Sequence, residues 1–196
     1  MRMLLTYGGE TAADAPVLRT GGVPLVPDGF EWPECAECEG AMQFLAHLPV
    51  GGGEEAAASE AVSVFFCQND PGLCDDWDAV GGGNRAYLFT GGLAELAPAV
   101  VPAEGETLLG AVSLLLPRPE GEVGDGEKVL GQLGGDVVWL QGDETPDCPG
   151  CAEPMAFLAS LEEGYDHETS ANFGGGGLSY VFSCRACVKA AFLWQC

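Results

Sequence analysis

The sequence predicts a mostly β protein made of two similar halves that form one compact unit. Glycine and proline supply 30 and 13 of the 196 residues. Long helices do not tolerate such a load, because an interior glycine costs about 1 kcal/mol and an interior proline about 3 kcal/mol. Valine and aromatic residues concentrate in short runs bounded by glycine, which is typical of strands. A helical contribution, which would make the fold α+β, is the minor alternative.

The two halves are seen in an internal repeat with a constant difference of 113 in residue number. Residues 32–48 align with residues 145–161 without a gap, and Gly21-Gly22 falls on Gly134-Gly135. Eight of the seventeen aligned pairs are identical, including both cysteines of a C-x2-C motif and the Phe-Leu-Ala that follows it. So close a match predicts an internal duplication.

Each half shows the same order of predicted strands. A cysteine pair comes first, followed by an apolar strand, a loop, an aromatic strand, a second cysteine pair and a closing strand. The predicted strands cover residues 42–48, 62–66 and 85–89 in the first half, and 155–161, 178–182 and 190–194 in the second.

These limits divide the chain into a first repeat (1–92), an inter-repeat segment (93–133) and a second repeat (134–196). Within the inter-repeat segment, the apolar run 107–116 predicts one further buried strand, with a helical turn as the alternative. We expect the three parts to form one integrated domain.

Eight of the nine cysteines form two quartets with the spacing of metal ligands. A two-residue spacer lets both thiolates of a C-x2-C pair face one ion. The motifs are C-x2-C-x28-C-x6-C and C-x2-C-x32-C-x2-C, so the predicted ligands are Cys35, Cys38, Cys67 and Cys74 in one site, and Cys148, Cys151, Cys184 and Cys187 in the other.

In a zinc ribbon, the cysteine pairs at two hairpin tips bind one ion. Because the chain has two such sets of pairs, we expect two zinc ions per chain. Four protein ligands leave no coordination position for water, which makes such zinc structural rather than catalytic. The same residues could instead form disulfides in an oxidising compartment, or hold iron in a rubredoxin-like or iron–sulfur site. The ninth cysteine, Cys196, has no counterpart in the repeat and is expected to be a free thiol.

The charge of the chain excludes two classes of partner. Thirty Asp and Glu stand against seven Lys and Arg, for a net charge of −23 and a pI near 4.1. No row of bases is available to bind nucleic-acid phosphates or an anionic membrane surface. The acidic field fits a basic protein partner, with the acidic runs 54–55, 75–78 and 162–163 as its sources. Solubility alone is the competing explanation of the charge.

Apolar runs are too short for a membrane helix or a signal peptide. The longest covers residues 108–116, and the first ten residues contain a two-leucine apolar core. We therefore expect a cytoplasmic protein of unknown oligomeric state whose cysteines are reduced or metal-bound.

Catalytic motifs are missing from the sequence. No nucleophile elbow, zinc-protease motif or phosphate-binding loop is present, and the glycine runs lack the lysine that a phosphate cradle needs. His47 lies in an apolar strand, and His167 lies in a polar loop. The acidic run Asp75–Asp78 lacks the ligand spacing of a calcium loop. No catalytic residue is predicted, and we expect the protein not to be an enzyme.

Motifs along nearly the whole chain resemble the YwqG-like family, a group of bacterial proteins of unknown function. They are Gly21–Pro24, Phe30–Pro33, Phe44–Ala46, Phe66–Trp77, Leu130–Gly135, Trp139–Gln141 and Phe192–Gln195. The cysteine pairs indicate a zinc-carrying branch of that family. Because the family has no established activity, the resemblance implies none.

The repeat core alone is similar to the programmed cell death protein 2 family of eukaryotes. The shared features are a diglycine-proline start, a C-x2-C pair followed by Phe-Leu, and an aromatic strand that ends in cysteine. Those proteins are dedicated chaperones of a ribosomal protein. The likeness implies a non-catalytic zinc protein that binds a basic client. An iron–thiolate redox protein, or an enzyme of unrecognised chemistry, is the alternative.

Overall fold

A computed structural model of the chain describes residues 2–50, 60–103, 109–163 and 171–196. These residues form one ten-stranded antiparallel sheet and one two-stranded sheet. The strands are β1 (Met3–Tyr7), β2 (Arg19–Thr20), β3 (Leu25–Val26), β4 (Gln43–Pro49), β5 (Glu60–Phe66), β6 (Asn84–Thr90), β7 (Ala97–Pro98), β8 (Ser113–Pro119), β9 (Val129–Leu133), β10 (Ala156–Glu162), β11 (Leu178–Cys184) and β12 (Lys189–Gln195).

The predicted mostly β fold is confirmed. Helical structure in the described residues is limited to three short 3₁₀ helices at Leu93–Glu95, Glu120–Glu122 and Arg185–Cys187. No helix among the same residues has the length and apolarity that a membrane crossing requires. All six strands predicted for the two repeats are present, with ends that differ from the prediction by at most two residues.

The two halves match strand for strand. The large sheet has the order β12-β11-β10-β9-β1-β8-β2-β4-β5-β6, so five strands on one side correspond to five on the other. The bounds of β4 and β10 differ by 113 at both ends. Each of these two strands also has a register shift at the same relative place, between Phe44 and Ala46 and between Phe157 and Ala159. Two pseudo-symmetric β repeats therefore share one sheet, although their origin by duplication stays a prediction.

The first strand of each half pairs with the other half. Strand β1 begins the chain but pairs with β9, which pairs in turn with β10. Strand β8 comes before β9 in the chain but pairs with β2, which pairs with β4. The two exchanged strands also pair with each other, with Met3 opposite Pro119 and Tyr7 opposite Leu115. Neither half can complete its own part of the sheet.

The strand expected over residues 107–116 lies further along the chain than predicted. Residues 107–108 are outside the described residues, and β8 runs from Ser113 to Pro119. Two prolines, Pro117 and Pro119, lie within this strand. Strand β8 pairs with β2 only at Ser113 and Leu114. At the two prolines, the edge of β8 on the β2 side therefore has no partner strand. Proline is tolerated there, because its missing N–H is not needed for a ladder bond.

The sheet is nearly closed around one main core. Its outermost strands β6 and β12 lie against each other, and the Trp194 N–H donates to the Trp77 carbonyl at 3.1 Å. The enclosed core takes side chains from both halves, among them Leu5, Leu48, Val62, Phe66, Leu115, Leu161, Phe173, Val181 and Phe192. Burying these apolar side chains is the main source of stability in such a fold.

Two buried polar side chains hold equivalent turns in the two halves. The fully buried Arg19 guanidinium donates to the carbonyls of Ala15, Gly21 and Val23. At the equivalent position, the Gln132 amide donates to the carbonyls of Gly134 and Asp136 at 2.7 and 2.8 Å. Each side chain satisfies carbonyls of the diglycine turn that follows its strand.

His47 is a buried structural residue. Its Nε2 accepts the Leu25 N–H at 2.7 Å, so the ring proton is on Nδ1 and is donated to Ser63 Oγ at 2.8 Å. Burial of the ring, reinforced by the positive charge of Arg19, lowers the pKa of His47 well below its usual value. The folded protein therefore keeps His47 neutral.

We predict that Gly21→Ala destabilises the fold more than Gly29→Ala. Both glycines have positive φ, of 63° and 75°, so both substitutions carry the cost of a left-handed backbone. A Cβ at Gly21 would lie 2.2 Å from the Ala111 oxygen, whereas a Cβ at Gly29 meets nothing within 4 Å. The crowding should cost Gly21→Ala about 1–3 kcal/mol beyond its matched control, measured by urea unfolding. Equal losses would show that residues 110–111 do not approach the turn.

We predict that His47 makes the free energy of unfolding fall as the pH drops below about 6.5. The unfolded chain takes up a proton at His47 in that range and the folded chain does not, so acid favours unfolding. His47→Gln should reduce this slope between pH 7.5 and 5.5 relative to the wild-type protein, in denaturant titrations at fixed metal loading. An unchanged slope would mean that His47 titrates alike in the folded and unfolded chains.

Candidate metal centres

The first cysteine pair of each half lies in a hairpin with the same backbone hydrogen bonds. In the first half the Cys35 N–H donates to the Gly40 carbonyl at 2.9 Å, and the Glu39 N–H donates to the Cys35 carbonyl at 3.0 Å. The equivalent bonds at Cys148 are both 2.8 Å long. Glu39 and Ala152 adopt a left-handed backbone, with φ of 58° and 57°, although neither is glycine. The repeated turn places both cysteines of the C-x2-C motif at one end of the hairpin.

The second cysteine pair comes at the end of the aromatic strand, where the two halves differ. In the first half, Cys67 directly follows β5 and Cys74 lies in the loop beyond it. In the second half, Cys184 is the last residue of β11 and Cys187 ends the 3₁₀ helix Arg185–Cys187. Strand β5 pairs with β4, and β11 pairs with β10. Since β4 and β10 each follow the hairpin with the first cysteine pair, the end of each aromatic strand lies next to that hairpin.

The structure brings the eight predicted residues together in the two predicted quartets. Within each quartet all sulfur atoms lie within 4.8 Å of one another. The Cys38 and Cys67 sulfurs are 3.7 Å apart, and those of Cys151 and Cys184 are 3.9 Å apart. Four sulfurs on a tetrahedral ion with bonds of about 2.3 Å would be about 3.8 Å apart, whereas a disulfide requires about 2.05 Å. Both groups thus have the size of a four-thiolate metal site, and each is built within one half.

Crowding of four sulfurs makes a cation necessary if all are to be ionised. In the second group, the Gly150 N–H donates to the Cys148 sulfur at 3.4 Å and is the main cause that lowers the pKa of Cys148 to about 7. The neighbouring thiols Cys151, Cys148 and Cys184 raise the pKa of Cys187 to about 12. Not all four thiols can lose their protons against one another's charge. A bound divalent cation removes this conflict, and its binding releases the remaining protons.

The two groups differ in exposure. In the first, Cys35, Cys67 and Cys74 are buried, and the Asn69 amide donates to the sulfurs of Cys38 and Cys67 at 3.5 Å each. In the second, Cys148 is the buried member, whereas Cys184 and Cys187 are partly buried and Cys151 is exposed. Nothing in the spacing of the cysteines predicted this difference, and the role of Asn69 was also missed.

The remaining candidate residues do not add a further metal group. Among the described residues, the two quartets are the groups of three or more metal-binding side chains that the structure brings together. His47 is a hydrogen-bonded core residue, and His167 lies outside the described residues. Of the acidic run Asp75–Asp78, Asp76 is buried and Asp78 accepts the Val80 N–H at 2.7 Å.

Comparisons with known proteins do not assign the chain to a family. No family model matches it, and no solved structure matches it. It is similar to an uncharacterized protein, YpfL, of Salmonella typhimurium, with 34% identity over 95 residues. The match covers 48% of this chain and 19% of that relative, so the chain spans about a fifth of the relative's length. The resemblance to the YwqG-like family stays a prediction.

We predict that Cys148→Ser removes one metal ion and Cys196→Ser removes none. Cys148 belongs to a quartet, whereas Cys196 is an exposed cysteine outside both. Native mass spectrometry should find two ions in the wild-type protein and in the Cys196 variant, and one in the Cys148 variant. Loss of a site worth on the order of 10 kcal/mol should also lower the Tm by about 10 °C or more. Equal metal content and Tm in the two variants would refute the assignment.

We predict that a chelator removes metal from the second group before the first, because the sulfurs of the second group are more exposed. With a chromogenic chelator, the wild-type protein should release its metal in two phases of equal amplitude. Cys35→Ser, which keeps the second group, should retain the fast phase, and Cys148→Ser should retain the slow one. A single phase, or the reverse assignment, would contradict the prediction.

Proposed function

We propose that this chain is a non-catalytic zinc protein that binds a basic protein partner. The observation that carries the proposal is the pair of closed four-sulfur groups on a strongly acidic chain. Four thiolates in a set of tetrahedral size suit zinc, and a closed set leaves no coordination position for substrate or water. A reducing compartment such as the cytoplasm would keep the thiols available for the metal.

The position of the two sites supports a structural role for zinc. Each quartet packs on its own cluster of aromatic side chains, outside the main core. The first cluster contains Phe44, Phe65, Trp32 and Tyr87, and the second contains Tyr180, Phe182, Phe157 and Trp139. Zinc would join a hairpin to a strand end at each cluster. Short strands with glycine-rich loops do not hold these two elements together by themselves.

The distribution of charge supports a basic partner. Of the few bases, Arg19 is buried, and three others form ion pairs: Arg2 with Glu120, Arg118 with Glu127 and Arg185 with Glu60. Little positive charge is left to offset the acids, and each zinc–tetrathiolate site would add further negative charge. A field of one sign attracts a cationic partner and speeds its association.

The acids do not all contribute equally to that field. Glu163 is engaged within the fold, where its carboxylate accepts the N–H groups of Phe173, Gly175 and Gly176 at 2.5–3.1 Å. Asp76 is buried, and Glu54-Glu55 lie outside the described residues. The exposed carboxylates that remain, such as Asp70 and Asp78, are the better candidates for contact with a partner.

A capture experiment at two salt concentrations tests the proposal. The zinc-loaded protein is immobilised, exposed to a cytosolic extract, and washed at 0.05 M or 0.5 M NaCl, with bound proteins identified by mass spectrometry. We expect basic proteins, retained at low salt and lost at high salt, because the Debye length shrinks from about 10 Å at 0.1 M to about 3 Å at 1 M. Recovery of no basic protein, or of one that ignores salt, would show that the acidity serves solubility alone. Elemental analysis of protein purified without added metal or chelator distinguishes zinc from iron.

A further inference from the structure

The first half contains a loop that the second half lacks. Sixteen residues, 68–83, connect Cys67 to β6, whereas four residues, 185–188, connect Cys184 to β12. Both segments close a four-cysteine group at the same place in the repeat. Since four residues are enough for closure, the metal site does not explain the greater length of the first segment, which we call the insertion loop (residues 68–83).

The insertion loop is held in place by hydrogen bonds at several points. The buried Asn84 amide donates to the carbonyls of Asp76 and Asp78 at 3.2 and 2.7 Å. The Gly83 N–H donates to the Asp75 carbonyl at 2.8 Å, and the Trp77 carbonyl accepts the Trp194 N–H from the other half at 3.1 Å. A loop fixed in this way loses little conformational freedom when it binds a partner.

This ordered loop turns large apolar side chains toward solvent. Leu73, Trp77 and Val80 expose 80%, 47% and 88% of their surface. These three large exposed apolar side chains fall within eight residues of one loop. Exposed apolar surface that is contiguous marks protein-interaction sites, and Trp is among the residues most enriched there.

The charge of the loop indicates which partner it suits. The segment from Cys67 to Asn84 contains four aspartates and no Lys, Arg or His. Asp70 and Asp78 are exposed in the same loop as these apolar side chains. A second copy of the chain would bring two molecules of charge −23 together, and an anionic membrane would be repelled in the same way.

We propose that the insertion loop is the docking surface for a basic segment of another protein. The apolar side chains of that segment pack on Leu73, Trp77 and Val80, and its cationic side chains bind Asp70 and Asp78. The inference rests on the proposed function and names the surface through which it acts. The equivalent segment of the second half, residues 185–188, is four residues long and exposes one large apolar side chain, Val188.

NMR titration of the zinc-loaded full chain tests this surface with two synthetic peptides of equal charge: one alternates lysine with leucine, and the other alternates lysine with serine. Leu73→Ser/Val80→Ser removes two of the three apolar side chains. Val100→Ser is the matched control, because Val100 is 92% exposed and lies outside the loop. Metal content and Tm are measured for each variant, so that binding is compared only between folded, loaded proteins.

We expect the lysine–leucine peptide to shift resonances of residues 70–82 and to bind about tenfold more weakly to Leu73→Ser/Val80→Ser. Binding to Val100→Ser should be unchanged. If both peptides bind the double variant as they bind the wild-type protein, the docking surface is refuted while a charge-driven partner remains. If neither peptide binds at low salt, the proposed function fails as well. Self-association that the double variant abolishes would identify the loop as a contact between copies and would also refute the inference.

Discussion

The central constraint in this structure is the crowding of four sulfur atoms within 4.8 Å in each half. Four thiolates so close together repel one another, and four thiols there place polar groups among aromatic side chains without strong partners. A divalent cation satisfies both conditions at once, because it neutralises the thiolates and fixes their distances. The hairpin, the end of the aromatic strand and the aromatic cluster beneath them all meet at this group. A metal bound at this group would thus couple the folding of each outer part of the sheet to the ion.

The central part of the sheet depends on a different constraint, the exchange of β1 and β8. Met3 pairs with Pro119 and with Leu133, so the middle of the sheet is made of contacts between residues far apart in the chain. Such contacts close large loops and form late or slowly in folding. The main core, which draws on both halves, is completed only when these strands are in place. The molecule therefore combines two locally closed four-cysteine groups with a non-local centre.

Sequence patterns predicted the parts that depend on local information. The two cysteine quartets and the strands β4 and β10 follow from spacing and composition. The pairing of β1 with β9 could not be predicted, because an apolar strand does not specify its partner. Arg19 and Gln132 were missed for another reason: they hold equivalent turns but share no identity, so an alignment that counts identical residues passes over them. The left-handed backbone at Glu39 and Ala152 could not be predicted either, because neither position holds the glycine that usually indicates it.

The differences between the two repeats are possible because both belong to one chain. A homodimer made of one repeat would carry every change twice, once in each subunit. Two repeats joined in one chain, as the predicted duplication implies, can change separately while the shared sheet keeps them in register. The second repeat has the shorter segment between its last two strands and the more exposed sulfurs, whereas the first has a more deeply buried quartet and a longer surface loop. If the predicted duplication is correct, covalent linkage has allowed two repeats that began as identical copies to acquire different surfaces and different metal-ligand environments.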